Sequence, residues 1–267
     1  MNSPRQNRRL AATGAHWLLD QYIEFVAAVR FLTVLPLPEY HQSFDDDTVE
    51  LRVGSGYYPV VGLLLGLLLS LLVLAGGPHL PSLALAALLV VGLVVLTGGL
   101  HLDGLMDACD GLFGGTTRES KLEIMHDSRV GSFAVLGAAC VLLLKWSFFA
   151  SLGAAHLIQA LLITLPCARW AMVVAVRAFP SARAAGLGAA FRQEVTQGKL
   201  LQAGITAMLI ALLAGGLVGA AAWIVATLLA LALGAWVTRS LGGLTGDIYG
   251  AIAEITEVIL LLLLMLL

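Results

Sequence analysis

From Tyr57 onward the chain is a succession of long apolar runs separated by more polar connectors. Runs near the ~20 residues that cross a bilayer core fall at Tyr57–Ala75, Leu83–Leu100, Phe133–Leu152, Leu157–Ala178, Leu201–Ala220, Ala221–Val237 and Tyr249–Leu267. The pattern predicts an all-α, polytopic integral membrane helix bundle of about seven transmembrane helices. The division between the fifth and sixth rests only on Gly219 and the alanines beside it, because LVGAAAWIVAT carries no charge. The first 56 residues read differently. Arg5, Arg8 and Arg9 precede Ala11–Arg30, a segment broken by Asp20 and Glu24 that fits neither a cleaved signal nor a span. Trp17, Leu18, Tyr22, Phe25, Val26 and Val29 fall near helical spacing with charges opposite, which predicts an amphipathic helix lying in the membrane interface. The prolines of Thr33–Pro38 stop it, and Asp45–Asp47 reads as a solvated loop. The expected organisation is an N-terminal interfacial helix and loop over 1–56, then a transmembrane domain over 57–267.

The connectors alternate in character. GGPHLPS, GAAH and the break near Ala220 lack Lys and Arg, whereas Leu102–Ser132, Phe179–Lys199 and Thr238–Ile248 carry Arg118, Lys121, Arg129, Arg183, Arg192, Lys199 and Arg239. The positive-inside rule assigns the second set, with the basic N-terminus, to the cytoplasm. Composition supports the membrane reading: 59% of residues are hydrophobic and 12% charged, far from the shares of a soluble domain. A net charge of −2 favours neither nucleic acid nor a basic peripheral anchor. Cys109, Cys140 and Cys167 lack CxxC spacing, so they read as small packing residues rather than a zinc site or disulfide framework.

Against that apolar background, His101–Arg129 holds six of the chain's 17 acidic residues. Asp103, Asp107 and Asp110 stand at i, i+4 and i+7, one stripe of a helix. Three like charges on one stripe repel unless a cation neutralises them, and hard carboxylate oxygens favour Mg²⁺ or Mn²⁺; the alternative is a solvated acidic turn beside the bilayer. GLFGGTTRESK follows, where glycines free the backbone to approach a phosphate and Arg118 and Lys121 can neutralise it. Glu123 and Asp127 form a second acidic pair, and Arg129 can clamp an anionic oxygen bidentately; a surface helix laced with ion pairs is the competing reading. GGLTGD, Gly242–Asp247, carries one more carboxylate on a glycine turn, with a helix cap as the alternative for Asp247. Lys145 and Arg169 stand inside spans, where an unpaired charge costs ~2.5–3.5 kcal/mol on insertion scales. Either they pair with Glu254 and Glu257, or Arg169 lines a polar cavity and meets a substrate phosphate.

GGLHLDGLMDACDG, LEIMHDSRVG and GGLTGD, in that order, resemble the signatures of the cobalamin synthase (adenosylcobinamide-GDP ribazoletransferase) family. The resemblance covers nearly the whole chain and extends to Phe31–Pro38, YPVVGLLLG, Lys145, Arg169 and Gly186–Gly188; GGTTRES and the Arg-bearing N-terminus fit less closely. It implies an Mg²⁺-dependent transferase of the bacterial cytoplasmic (inner) membrane, multi-pass, with its site facing the cytoplasm. Such an enzyme joins α-ribazole, or its 5′-phosphate, to adenosylcobinamide-GDP and releases GMP. On that reading Asp103, Asp107 and Asp110 hold metal, with Asp127 and Asp247 completing the shell. Arg118, Ser128, Arg129, Arg169 and Thr245 bind substrate, and His101 is the general base or an orienting residue, a carboxylate being equally eligible as base. The partners it implies are the two small-molecule substrates and the lipid bilayer, with a second copy or other cobalamin-pathway enzymes beside them, and no nucleic acid.

Two other readings compete. A CDP-alcohol phosphotransferase also places aspartates at i, i+4 on membrane helices, but Asp103-Gly104 is followed here by Met106-Asp107 rather than Ala-Arg. A cation transporter could use the acidic stripe as its site, yet the sequence has no convincing repeated halves.

Overall fold

The computed structural model describes residues 4–38, 52–183 and 187–266. Asp45–Asp47 and Gly186 lie outside them. The elements are α1 (Pro4–Leu32), a 3₁₀ turn (Ser55–Tyr57), α2 (Tyr58–Gly76), α3 (Ser82–Thr97), α4 (Leu100–Gly114), α5 (Arg118–Ile124), α6 (Ser132–Ser151), α7 (Ala154–Ala178), α8 (Leu187–Glu194), α9 (Gln197–Leu241) and α10 (Gly246–Leu266). Among the described residues the only β pairing is an isolated bridge, Ser181 with Leu244. Among those residues five helices are long and apolar enough to cross a membrane, or six with the bent pair α3–α4. The chain is a multi-pass membrane helix bundle.

Helix α7 is its central column, with every residue from Ile163 to Val176 buried. A helix buried on all sides must be met by small residues, and α2 supplies them: a Cβ on Gly62 would stand 2.6 Å from the Leu165 carbonyl oxygen, and one on Gly66 3.0 Å from that of Leu161. Close backbone approach replaces the hydrophobic drive that lipid cannot provide.

The 45-residue α9 is a hairpin of two limbs. Gly216 breaks it with φ 55° and ψ −130°, outside the helical region and open to glycine at little cost. Trp170 of α7 lies against Gly204, stacks on Trp223 at 5.5 Å and donates to Thr227 Oγ1 at 2.8 Å. A straight helix would separate residues 204 and 227 by ~35 Å. The expected break near Ala220 therefore falls four residues earlier, at the Gly215-Gly216 pair. Ala203, Ala207 and Ala211 on one limb and Ala222, Ala226 and Ala230 on the other are buried at four-residue spacing, the pattern that lets helices approach closely.

The second expected span, Leu83–Leu100, ends early. Gly98 and Gly99 both adopt left-handed φ (62° and 71°), and α4 leaves α3 at 90°. At 1.5 Å per residue the 16-residue α3 is shorter than the ~30 Å hydrocarbon core, and it is long enough for a span only when counted together with α4. Standing at right angles to α3, α4 carries its aspartate stripe crosswise to it rather than along a straight span. With the bent pair counted once and the two limbs of α9 taken separately, the apolar segments among the described residues number seven.

Helix α1 is longer than the expected Ala11–Arg30, and its apolar residues divide. Ile23, Val26, Val29 and Leu32 are buried, whereas Trp17, Leu18 and Tyr22 are exposed. Thr33–Pro38 then straps α1 to the end of α3, Val34 N–H donating to the Leu96 carbonyl at 2.9 Å. Residues on both sides of the expected boundary at 56/57, among them Val29, Leu32, Val53 and Tyr58, share one core. The three cysteines are free, with Cys167 buried and Cys140 exposed.

Candidate active site

The left-handed Gly98-Gly99 turn aims α4 across the foot of the bundle, and Gly104 lets it dock there, since a Cβ would stand 2.8 Å from the Asp247 carbonyl oxygen. That contact brings the first turn of α10 beside the aspartate stripe. Asp103, Asp107, Asp110, Asp127 and Asp247 all line one cleft of about 360 Å³, together with His126, Ser128, Arg129 and Arg183. Residues far apart in sequence thus meet in one cleft, but their commitments differ.

Asp103 is exposed and Asp107 half-buried. The Asp107 carboxyl is pushed up to about 6, first by burial and then by Asp103, Asp247 and Asp110; uncompensated negative charge has collected there. Asp110 is buried and serves a second purpose. Its oxygens accept the Gly131 N–H at 2.5 Å and the Ala134 N–H at 2.8 Å, satisfying open donors at the start of α6 as a capping residue does. Asp127 is clasped by Arg129, whose Nε lies 3.0 Å from both carboxylate oxygens and whose Nη2 lies 2.5 Å from Oδ2. Those bonds hold the Asp127 carboxyl down at about 2. The Arg129 side chain is 90% exposed, so the local ion pair foreseen as the competing reading is formed, at the rim of the cleft. Thr245 caps α10, accepting the Ile248 N–H at 3.4 Å, and its hydroxyl donates to Asp247 Oδ2 at 3.2 Å. It orients Asp247 and does not itself line the cleft.

Besides Thr245, three expected site residues, Arg118, His101 and Arg169, do not reach the cleft. Arg118 donates from Nε to the Leu241 carbonyl and from Nη2 to that of Ala182, each at 2.8 Å. With Lys121 bonded to Ser240 Oγ at 2.7 Å, it staples α5 to the end of α9 and to the connector after α7. The glycine-rich stretch expected to cradle phosphate is a shelf instead. His101 and Arg169 are 2% and 1% exposed, and Arg169 Nη2 lies 3.5 Å from His101 Nδ1. Arg169 also pairs with Glu257, while Lys145 lies 2.6 Å from Glu254 and 2.5 Å from Glu257. The pairing alternative for Lys145 and Arg169 is the one realised: two cations meet two carboxylates, and a buried charge is tolerated when so compensated.

Sequence reasoning passed over His126 and Arg183. Both line the cleft and also an outer hollow of about 530 Å³, with Leu122, Glu123 and Asp127. His126 lies inside LEIMHDSRVG, and the connector position of Arg183 speaks in the sequence only to sidedness.

Among the described residues no three His, Cys, Asp or Glu side chains converge tightly enough to cage a metal ion. The donor set nevertheless suits Mg²⁺ in its usual mode, in which one or two carboxylates, several waters and substrate phosphates share the ion. Among the described residues Asp103, Asp107 and Asp247 are the cleft carboxylates bonded neither to an arginine nor to a backbone N–H.

The sequence model of a family described as cobalamin-5-phosphate synthase matches residues 24–265. Similar proteins include the adenosylcobinamide-GDP ribazoletransferase of a Roseiflexus species, 40% identical over 234 residues that cover 88% of this chain and 86% of that protein. That of Desulfitobacterium hafniense is 43% identical over 240 residues, covering 88% and 93%. That of Desulforamulus reducens is 40% identical over 264 residues, covering 90% and 94%. No solved structure matches the chain.

Proposed function

The chain belongs to the cobalamin-5-phosphate synthase family, and from that premise we propose that it transfers the adenosylcobinamide phosphate group of adenosylcobinamide-GDP to α-ribazole or its 5′-phosphate and releases GMP. The observation that carries this reading is the gathering of carboxylates from α4, the loop after α5 and the first turn of α10 around one cleft that also holds Arg183 and Arg129.

In the reaction a ribose hydroxyl oxygen bonds to the phosphorus bearing the cobinamide arm. The bond from that phosphorus to the bridging oxygen breaks, and GMP departs with that oxygen. The diphosphate is already activated, so positioning and charge neutralisation suffice. Asp103, Asp107 and Asp247 would hold Mg²⁺, or Mn²⁺, which neutralises diphosphate charge when bound. Arg183 offers donors to phosphate oxygens, and Ser128 at the cleft wall offers a hydroxyl. The hydroxyl proton goes to a cleft carboxylate; Asp107, shifted toward neutrality, must be ionised to serve either the ion or the proton. His101, bonded to Arg169 beneath the cleft, positions α4.

We place the cleft at the cytoplasmic face of the bacterial inner membrane, because Arg118, Arg183 and Arg239 cluster at its end of the bundle, and we read the exposed Trp17, Leu18 and Tyr22 as the part of α1 that lies in the interface. Incubating purified protein with adenosylcobinamide-GDP, α-ribazole and Mg²⁺ should release GMP, stop on EDTA and resume with Mg²⁺. Cation flux in proteoliposomes without GMP release would decide for a transporter. Cysteines placed at Thr116 and Ser240 should label from the cytoplasmic side and one at Pro81 from the other; opposite labelling of Thr116 and Ser240 would break the single-cleft assignment.

A further inference from the structure

We infer that the outer hollow is the subsite for the guanosine end of the substrate, with Glu123 reading the base and Arg183 holding the adjoining phosphate; this rests on the transfer reaction proposed above. The two hollows share His126, Asp127 and Arg183, so a ligand spanning them passes Arg183. The inner hollow is walled by carboxylates and suits a cation-bridged diphosphate. The outer hollow has the Leu122 side chain, the Glu123 carboxylate and about 530 Å³, within the range of small-molecule sites.

Charge decides which end of the substrate lies there. Arg129 is committed to Asp127, and Arg118 is spent on two backbone carbonyls. Among the described residues the Arg183 side chain makes one hydrogen bond, Nη2 to the Leu122 carbonyl at 3.0 Å, and has no carboxylate within ion-pair distance, so most of its guanidinium donors remain for a phosphate. Glu123 is exposed and likewise without an ion pair among the described residues. Guanine presents N1–H and N2–H₂ side by side, two donors that one carboxylate accepts together; adenine presents one donor beside an acceptor, which a carboxylate repels. The shelf is rigid for its size. Thr117 and Ser120 close a capping box at the start of α5, and Arg118 and Lys121 staple it to neighbouring elements. That gives the GGTTRESK stretch a purpose: a reading residue must be held still by its supports.

The test is direct binding of GMP, IMP and AMP to the full-length protein in detergent with Mg²⁺, with GMP release from adenosylcobinamide-GDP followed in parallel. Wild type should bind GMP at least about tenfold tighter than AMP and tighter than IMP, which lacks the N2 amino group; a bond to a charged acceptor carries about that factor. Glu123→Gln should abolish the preference for GMP over IMP, and Glu123→Asp should keep part of it. Arg183→Gln should weaken all three nucleotides alike by about tenfold or more while sparing their ratios, with Arg183→Lys intermediate and melting temperatures recorded to detect damage to the Leu122 contact. Equal binding of GMP and AMP by wild type, or an unchanged GMP-to-IMP ratio in Glu123→Gln, overturns the subsite. If wild type releases GMP in that case, the transfer reaction stands without it; if wild type releases none, the reaction falls and the inference with it.

Discussion

Removing the Asp110 carboxylate separates two roles that the aspartate stripe leaves superimposed. As a metal ligand, Asp110 adds to the crowd of negative charge around Asp107, and its loss should stabilise the metal-free protein while destroying the Mg²⁺ dependence. As the cap of α6, it satisfies two backbone donors at 2.5 and 2.8 Å from a buried position, and its loss leaves both unpaired. Hydrogen bonds to charged groups contribute ~1.5–3 kcal/mol each, and loss of a cap costs ~0.5–2 kcal/mol. We expect Asp110→Ala to destabilise by about 2–4 kcal/mol. Asp110→Asn retains one oxygen acceptor and should lose roughly half as much. Asp103→Asn, at an exposed position without a bond to replace, should stay within ~0.5 kcal/mol yet abolish GMP release. Denaturant unfolding in detergent without metal, read beside Mg²⁺ titrations of activity, measures both quantities on the three variants. Asp110→Ala melting at or above wild type would refute the capping argument.

The raised Asp107 carboxyl sets a pH dependence whose sign is fixed, because the group must be ionised to serve: at low Mg²⁺, kcat/KM should fall about tenfold per unit below pH ~6, and the limb should move to lower pH at saturating Mg²⁺ as the cation competes with the proton. A profile flat to pH 5 at low Mg²⁺ would remove Asp107 from the site. Arg129→Lys should cost less than about threefold in kcat/KM and little in melting, since the Asp127 pair is exposed at the rim; a tenfold loss would restore Arg129 as a phosphate clamp. Lys145→Met leaves Glu254 and Glu257 facing one remaining cation and should destabilise by about 3–5 kcal/mol, with Lys145→Met/Glu254→Gln recovering part of it; equal unfolding of the single and double variants would show that the four charges do not act together.

The multi-pass helical character and the acidic stripe were legible in the sequence, because both rest on strong local rules: bilayer thickness sets the length of an apolar run, and the helical repeat puts i, i+4 and i+7 on one face. The sequence also showed that Lys145 and Arg169 need partners and named the available acids, since buried charge in lipid has few remedies. Where the chain turns was legible only in part. Gly98-Gly99 and Gly215-Gly216 stand in the sequence, but a glycine permits a left-handed φ without requiring it, and packing against α10 and α7 decided that these pairs would bend.

Commitments of individual side chains were decided by tertiary structure alone. Asp103 and Asp110 look equivalent along α4, yet only Asp110 meets the open end of α6, from 21 residues onward in the chain. Arg118 and Arg183 are both connector cations; the docking of α5 against α9 consumes the first and leaves the second facing the cleft. Periodicity fixes which face of a helix a residue occupies, whereas the atoms opposite that face come from distant segments, and only the packed bundle brings them within hydrogen-bonding reach.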